Sequence, residues 1–263
     1  MLRTINSFTL LTHKRKFNML KKIVLGSFGL LISYISFAQS TPAAKEETKK
    51  LVGDIGIAAF QNASITNSKE GGASILPYAY ATYGDFFARI DTLGMKVFPM
   101  GNGNFEISTR ISFEGYKQKN TSNPKTIANP TPFGISTAQI TPYGAFFAHS
   151  FYDPVSGGNL IDMSYAAQFK LGSFSVYPRL GVERRSAKYV QHLYGATTGP
   201  NIYTADSSLG TNIGMTVDYP IDQSMSLKLN FRKNWMDRNI TDSPIISSKS
   251  QLNGFIAVTH SFK

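Results

Sequence analysis

The sequence predicts an all-β fold, an antiparallel β-barrel that spans a membrane, and three observations point there. Hydrophobicity alternates with a period of two along most of the chain, the clearest runs are 10 to 13 residues long, and the connections between runs are sharply unequal in length. Strands of that length suit a tilted bilayer crossing of about 9–11 residues and exceed the about 5–6 typical of soluble sheets. A soluble lipocalin-like barrel is the competing reading, but it needs only about eight strands and this chain has material for more.

Taken in order, weak alternation marks strands at Val52 to Phe60, Ile75 to Thr82 and Phe86 to Met100. From Asn104 to Tyr116 the split is strict: Phe105, Ile107, Thr109, Ile111 and Phe113 oppose Asn104, Glu106, Ser108, Arg110, Ser112 and Glu114. Such a split places one set on each face of a strand. Phe133 to Thr141 and Ala145 to Tyr152 follow, then 160–171, where Ile161, Met163, Tyr165 and Phe169 oppose Asp162, Ser164, Gln168 and Lys170. The chain closes with Phe174 to Glu183, Ser208 to Tyr219, Met225 to Arg232 and Leu252 to Phe262. Helical spacing is nowhere convincing, and the connections are rich in Gly, Pro, Asn and Ser, as turns are. Aromatics near the strand ends, among them Phe151, Tyr152, Phe174, Tyr177, Tyr219, Trp235 and Phe262, suit an interfacial girdle.

A span made of strands must close on itself, because unpaired edge amides in hydrocarbon cost several kcal/mol each. Closure with both termini periplasmic requires an even count. Working back from a last strand that ends in the periplasm, every long connection (237–250, 187–205, 153–159, 117–132 and 61–73) falls on the outside, and the short turns fall inside except one near Asp91 to Gly94, which falls outside. A turn near Asp91 to Gly94 splits Phe86 to Met100 into two strands and gives twelve. Reading that stretch as one strand and also merging the Pro142 hairpin leaves the alternative of ten.

The 263 residues include no cysteine, which excludes disulfide scaffolds, Cys-ligated zinc, iron–sulfur clusters and thiol catalysis. The net charge is +11, but much of it is a targeting signal. Lys21-Lys22, the short apolar stretch Ile23 to Ile35 and Ser36-Phe37-Ala38 form a signal peptide with cleavage after Ala38. Residues 1–18 precede a second candidate start at Met19. Removing 1–38 takes six bases and no acid, leaving net +5, with no basic stripe of interleaved aromatics for a nucleic-acid partner. Residues 39–50 then read as a flexible periplasmic segment and 51–263 as the barrel.

No catalytic, cofactor or metal site is expected. His149 and His260 share parity with the apolar face, and their neighbours Ser150 and Ser261 point to the opposite face, so neither pair forms a dyad; only a cross-strand partner could. Asp206, Asp237 and Asp242 lie in predicted outer loops without metal-ligand spacing. Glycine pairs such as Gly71-Gly72 precede strands and read as turns. The polar face is the informative feature: Glu106, Glu114, Asp162, Glu183 and Asp218 against Arg110, Lys170, Arg179, Arg185, Lys228 and Arg232. Near-balanced charges in a narrow lumen pair with one another, whereas a selective pore favours one sign at a constriction.

Leu76-Pro77-Tyr78, Tyr83-Gly84-Asp85-Phe86-Phe87, Tyr189 with Tyr194-Gly195, Tyr203, Gly210 with Gly214, and Asp242-Ser243-Pro244-Ile245 are spread over most of the mature chain. In these stretches it resembles the MipA/OmpV family of outer-membrane proteins, with Tyr194, Gly195, Ser243 and Pro244 the most specific positions. The resemblance implies residence in a Gram-negative outer membrane, in contact with its lipid. For the founding member it implies a scaffold bridging a lytic transglycosylase and a bifunctional penicillin-binding protein during peptidoglycan growth. The expected function is therefore a non-enzymatic scaffolding or binding protein. A passive channel for small solutes is the alternative, and a lipid-modifying enzyme the third possibility.

Overall fold

The computed structural model describes residues 49–66, 72–117, 126–196 and 202–263; the predicted leader and residues 39–48 lie outside them. Each strand must satisfy its backbone N–H and C=O groups on both edges, and the chain does so in one antiparallel ring. In chain order the ring comprises β1 (Leu51–Asn62), β2 (Gly72–Tyr83), β3 (Phe86–Arg89), β4 (Thr92–Met100) and β5 (Gly103–Arg110). A two-residue hairpin, β6 (Tyr116–Lys117) with β7 (Thr126–Ile127), stands outside it. The ring continues with β8 (Phe133–Thr141), β9 (Gly144–Asp153), β10 (Gly158–Ala166), β11 (Phe169–Leu171), β12 (Phe174–Arg185), β13 (Ser208–Pro220), β14 (Met225–Trp235) and β15 (Ser250–Phe262). Pairing of β1 with β15 closes it.

β10 and β11 are one wall position, since both pair with β12, and the closed barrel has twelve strands. The break at 167–168 has a local cause. It lies opposite Pro178, which has no N–H to give, although its carbonyl still accepts from Ala167 N at 3.1 Å. Phe86 to Met100 divides into two strands, and the turn falls at Ile90-Asp91, slightly earlier than the sequence suggests. All long connections gather at one end of the barrel, and 84–85, 101–102, 142–143, 172–173 and 221–224 turn at the other.

Register fixes the faces, because directly paired residues share one. Ile57, Ile107, Ile135, Leu180, Ile213, Leu229 and Ile256 all point away from the lumen and are 40–65% exposed, an apolar belt that needs an apolar solvent. Their neighbours Glu106, Ser136, Lys228 and Ala257 point inward and are at most 5% exposed. At the two ends of the belt aromatic pairs meet, Phe174 with Tyr219 at 5.3 Å and Phe133 with Tyr152 at 6.2 Å. Phe151 and Tyr177, read from sequence as girdle residues, instead face the lumen: they pair with Leu160 and Thr216, and Phe151 is 2% exposed.

Among the described residues two helices depart from the all-strand expectation. α1 (Ala187–Tyr194) buries Tyr189, Val190, Leu193 and Tyr194, and α2 (Arg238–Thr241) is capped by Asp237, whose side chain accepts from Asn239 N. Both sit in long connections, and eight residues are too few to show a helical period.

Candidate functional site

The lumen holds most of the polar chemistry, arranged in three tiers. Nearest the short-turn end, Lys228 on β14 lies 3.0 Å from Asp54 on β1 and 2.5 Å from Asp218 on β13. Ser261 Oγ donates to Asp54 at 2.6 Å. One ammonium thus serves two carboxylates, which a flexible point charge with three donors can do.

The middle tier is denser. Arg89 on β3 makes a two-pronged contact with Glu106 on β5 at 2.8 and 2.6 Å, and Glu106 is completely buried. Ser136 Oγ donates to the same carboxylate at 3.1 Å and meets Ser108 Oγ at 2.8 Å. Across the bore, Arg110 lies 3.5 Å from Asp162 and 3.4 Å from Glu183. Arg179 approaches Asp162 at 4.0 Å and donates to Ser164 Oγ at 2.8 Å. His149 Nδ1 is 3.4 Å from Asp162. The register requires this: Ser136 pairs with His149, and His149 with Asp162.

The third tier joins the barrel to its cap. Arg185 donates to Glu114 at 2.6 Å, Glu183 at 2.7 Å and Tyr194 OH at 3.0 Å, and Tyr189 OH donates to Glu114 at 3.0 Å. Burial alone would push the Glu114 carboxyl up, but Arg185, with hydrogen bonds from Tyr189, Arg185 and Ser112, holds it below the usual range. Burial raises the Tyr189 and Tyr194 hydroxyls above theirs. Over this tier α1 packs a dry cluster of Ile65, Phe151, Leu160, Val190, Leu193 and Ile240. Tyr116 OH donates to the Leu193 carbonyl at 2.7 Å, and Ser243 Oγ donates to the Tyr194 carbonyl at 2.6 Å. Two of the sequence motifs, 49 residues apart, therefore meet in one bond of the cap. Gly195 suits this place because a Cβ would lie 2.6 Å from the backbone carbonyl oxygen of Gln191.

Of the charges the sequence selects for the lumen, Glu106, Arg110, Glu114, Asp162, Arg179, Glu183, Arg185, Asp218 and Lys228 take part in these ion pairs. Lys170 is exposed at the short-turn end, and Arg232 faces the lumen with no ion pair among the described residues. The sequence reading misses Arg89, Asp54 and His149. The first two sit on weakly alternating strands. The third shares its parity with the apolar face in the sequence, yet the odd positions of β9, Phe147, His149 and Phe151, face inward. β9 carries aromatics on both faces, so hydropathy cannot choose between them. His260 stands outward beside Phe262, their rings 4.8 Å apart.

Ser136, His149 and Asp162 stand side by side on β8, β9 and β10. Ser136 engages its hydroxyl with Ser108 and Glu106, so the arrangement does not prepare a nucleophile as a hydrolytic triad would. Among the described residues no group of three or more His, Asp or Glu is placed to hold a metal ion, and no helix is long and apolar enough to cross a membrane.

Comparison with known proteins bears on the whole barrel. The family described as MltA-interacting protein MipA matches residues 55–262. None of the curated proteins matches. Among solved structures, OmpT of Vibrio cholerae and the outer membrane channel DcaP of Acinetobacter baumannii each share 8% identity at a TM-score of 0.36. Each comparison covers 85% of this chain and 100% of the other. Neisserial surface protein A shares 12% identity at a TM-score of 0.27, over 80% of this chain and 96% of that one. These structural likenesses are too weak to bear on function.

Proposed function

The chain belongs to the MltA-interacting protein (MipA) family, and from that premise we propose that this outer-membrane barrel is a non-enzymatic scaffold whose work is done at its surface. The observation that carries the reading is the obstructed bore. Arg110, Asp162 and Glu183 meet across its middle, and the α1 cluster is packed over its long-loop mouth. Charges that satisfy one another in a low-dielectric tube hold the wall residues together and leave no single-signed constriction to select a solute. What remains for a partner is the rim and the terminal segments.

The family description points to a lytic transglycosylase as one partner, and a bifunctional penicillin-binding protein would be the second. Both would be met in the periplasm, at the short-turn end. The turns there span two to four residues and offer little to grasp. The better handle is residues 40–50, where Lys45, Glu46, Glu47, Lys49 and Lys50 supply both charge signs. Deleting 40–50 should abolish co-purification of a lytic transglycosylase from detergent extracts while leaving a heat-modifiable folded barrel; unchanged recovery contradicts the proposed handle.

One observation favours a passive channel instead. Tyr80 faces the lumen beside Asp54 yet is 43% exposed, so water enters the bore from the short-turn end as far as the Lys228 tier. Planar-bilayer recording separates the readings: the scaffold gives no ohmic steps, and regular steps from the wild-type chain would establish the channel.

A further inference from the structure

The lipid-facing wall carries almost no charge, because a charged group in contact with hydrocarbon is costly. Among the outward positions of the described ring strands, the only Lys, Arg, Asp or Glu residues are Arg184 on β12 and Lys233 on β14. Both are exposed, both are cations, and neither makes an ion pair among the described residues. Arg184 stands opposite Leu209 and is the last outward residue of its ladder. Lys233 stands opposite Ile213, two residues short of Trp235. Both therefore lie toward the long-loop end of the wall, where a long basic side chain reaches the headgroups. Lys233 leans that way, its Nζ 5.4 Å from the centre of the Trp235 ring.

The spacing of the two cations sets the size of a ligand that meets both. Two inter-strand steps of about 4.8 Å and four residues of about 3.4 Å place their Cα atoms about 17 Å apart. A phospholipid brings one phosphate and meets one of them. Two phosphates at opposite ends of a wider headgroup meet both, and arginine's planar fork suits such a group.

Below Arg184 the same wall is hollowed. A recess of about 280 Å³ lies between β9, β10 and β12, walled by Phe146, Met163, Leu180 and Val182, and its exposed lining is apolar. Its cause is local: Ala148, opposite Met163, ends in a single methyl where Phe146 and Met163 beside it carry long side chains. Val182 is two residues, about 7 Å, below Arg184 on one strand, so a chain lying in the recess brings its head to the guanidinium. An apolar slot with a cation at its upper end and a second cation two strands away complements an acylated lipid that carries two phosphates.

We propose that the outer wall from β9 to β14 is a specific seat for a multiply acylated, bisphosphorylated glycolipid of the lipid A kind, with one acyl chain in the recess and the phosphates on Arg184 and Lys233. The seat requires that the long connections face the lipid A leaflet and is otherwise independent of the scaffold reading.

The test is native mass spectrometry of the full barrel in detergent, where orientation plays no part. The probes are hexa-acylated lipid A, the same glycolipid stripped of phosphate, and phosphatidylglycerol. Lipid A should stay bound most tightly, with an apparent Kd raised about tenfold by Arg184→Gln, the size of one lost charge-assisted contact. Lys233→Gln should also weaken it, as should Ala148→Phe, which fills the recess. Ala59→Phe, outward on β1 opposite Ile256, should change nothing. Equal retention of the phosphate-free glycolipid or of phosphatidylglycerol, or an affinity indifferent to the first three variants, overturns the proposal. Should a variant fail to fold, lipid A with diazirine-bearing acyl chains decides on the wild-type chain: adducts concentrated on Met163, Leu180 and Val182 support the seat, and adducts spread evenly to Ile57 and Ile256 overturn it.

Discussion

Lys228 shows how much of this barrel rests on single residues. It is 5% exposed and holds Asp54 and Asp218 together, so three strands meet at one ammonium. Lys228→Ala leaves two half-buried carboxylates facing each other without their shared cation. The expected cost is about 3–5 kcal/mol, read as a lowered urea midpoint of the vesicle-inserted barrel, and adding Asp218→Asn should recover part of it. Glu114 supplies a pH dependence. Its carboxyl is more acidic in the fold than in an unfolded chain, so its stabilisation is complete above the ordinary unfolded value, about 4.3, and is lost as pH falls through the folded one. The cap should therefore loosen in acid. Hydrogen exchange in α1, corrected for intrinsic rates, should accelerate below that range in the wild type, and Glu114→Gln should exchange fast at all pH values.

At the scale of elements, the parts most legible in sequence are those where one solvent lies on each face. The two faces of β5 and β14 are assigned correctly because lipid and lumen sort their side chains. Legibility stops where that sorting stops. Ile111 and Phe113 still alternate with Ser112 and Glu114, so the sequence extends the strand to Tyr116, but β4 begins at Thr92, paired with Arg110, and the ladder ends there. Alternation reports solvent, and a ladder needs a neighbour. α1 is hidden for another reason: its buried face is four residues against a cap assembled from distant segments. The β3–β4 tip carries a measurable signature. Ile90 has φ of 60°, a left-handed conformation costly for a β-branched residue. Ile90→Gly should raise stability by about 1 kcal/mol in equilibrium unfolding, whereas Ile90→Val should not.

For the whole molecule, an even strand count follows from parity and from the requirement that edges in hydrocarbon be paired, and the turn that divides Phe86 to Met100 makes it twelve. Which charges meet does not follow, since Arg110 reaches Asp162 and Glu183 only after the ring closes with its particular stagger. The motif at Tyr194 and Ser243 is similar: its spacing is visible in sequence, while its role as a cap bond depends on two loops folding over one mouth. All of it presupposes that odd positions on β14 face acyl chains and even ones the lumen. The absence of cysteine allows that to be measured directly, with nitroxides placed singly at Leu227, Leu229, Asn230, Phe231 and Arg232 in lipid vesicles. Collision with dissolved oxygen, which concentrates in hydrocarbon, should be high at Leu227, Leu229 and Phe231 and low at Asn230 and Arg232; equal values along the strand, or the reverse order, would contradict the account.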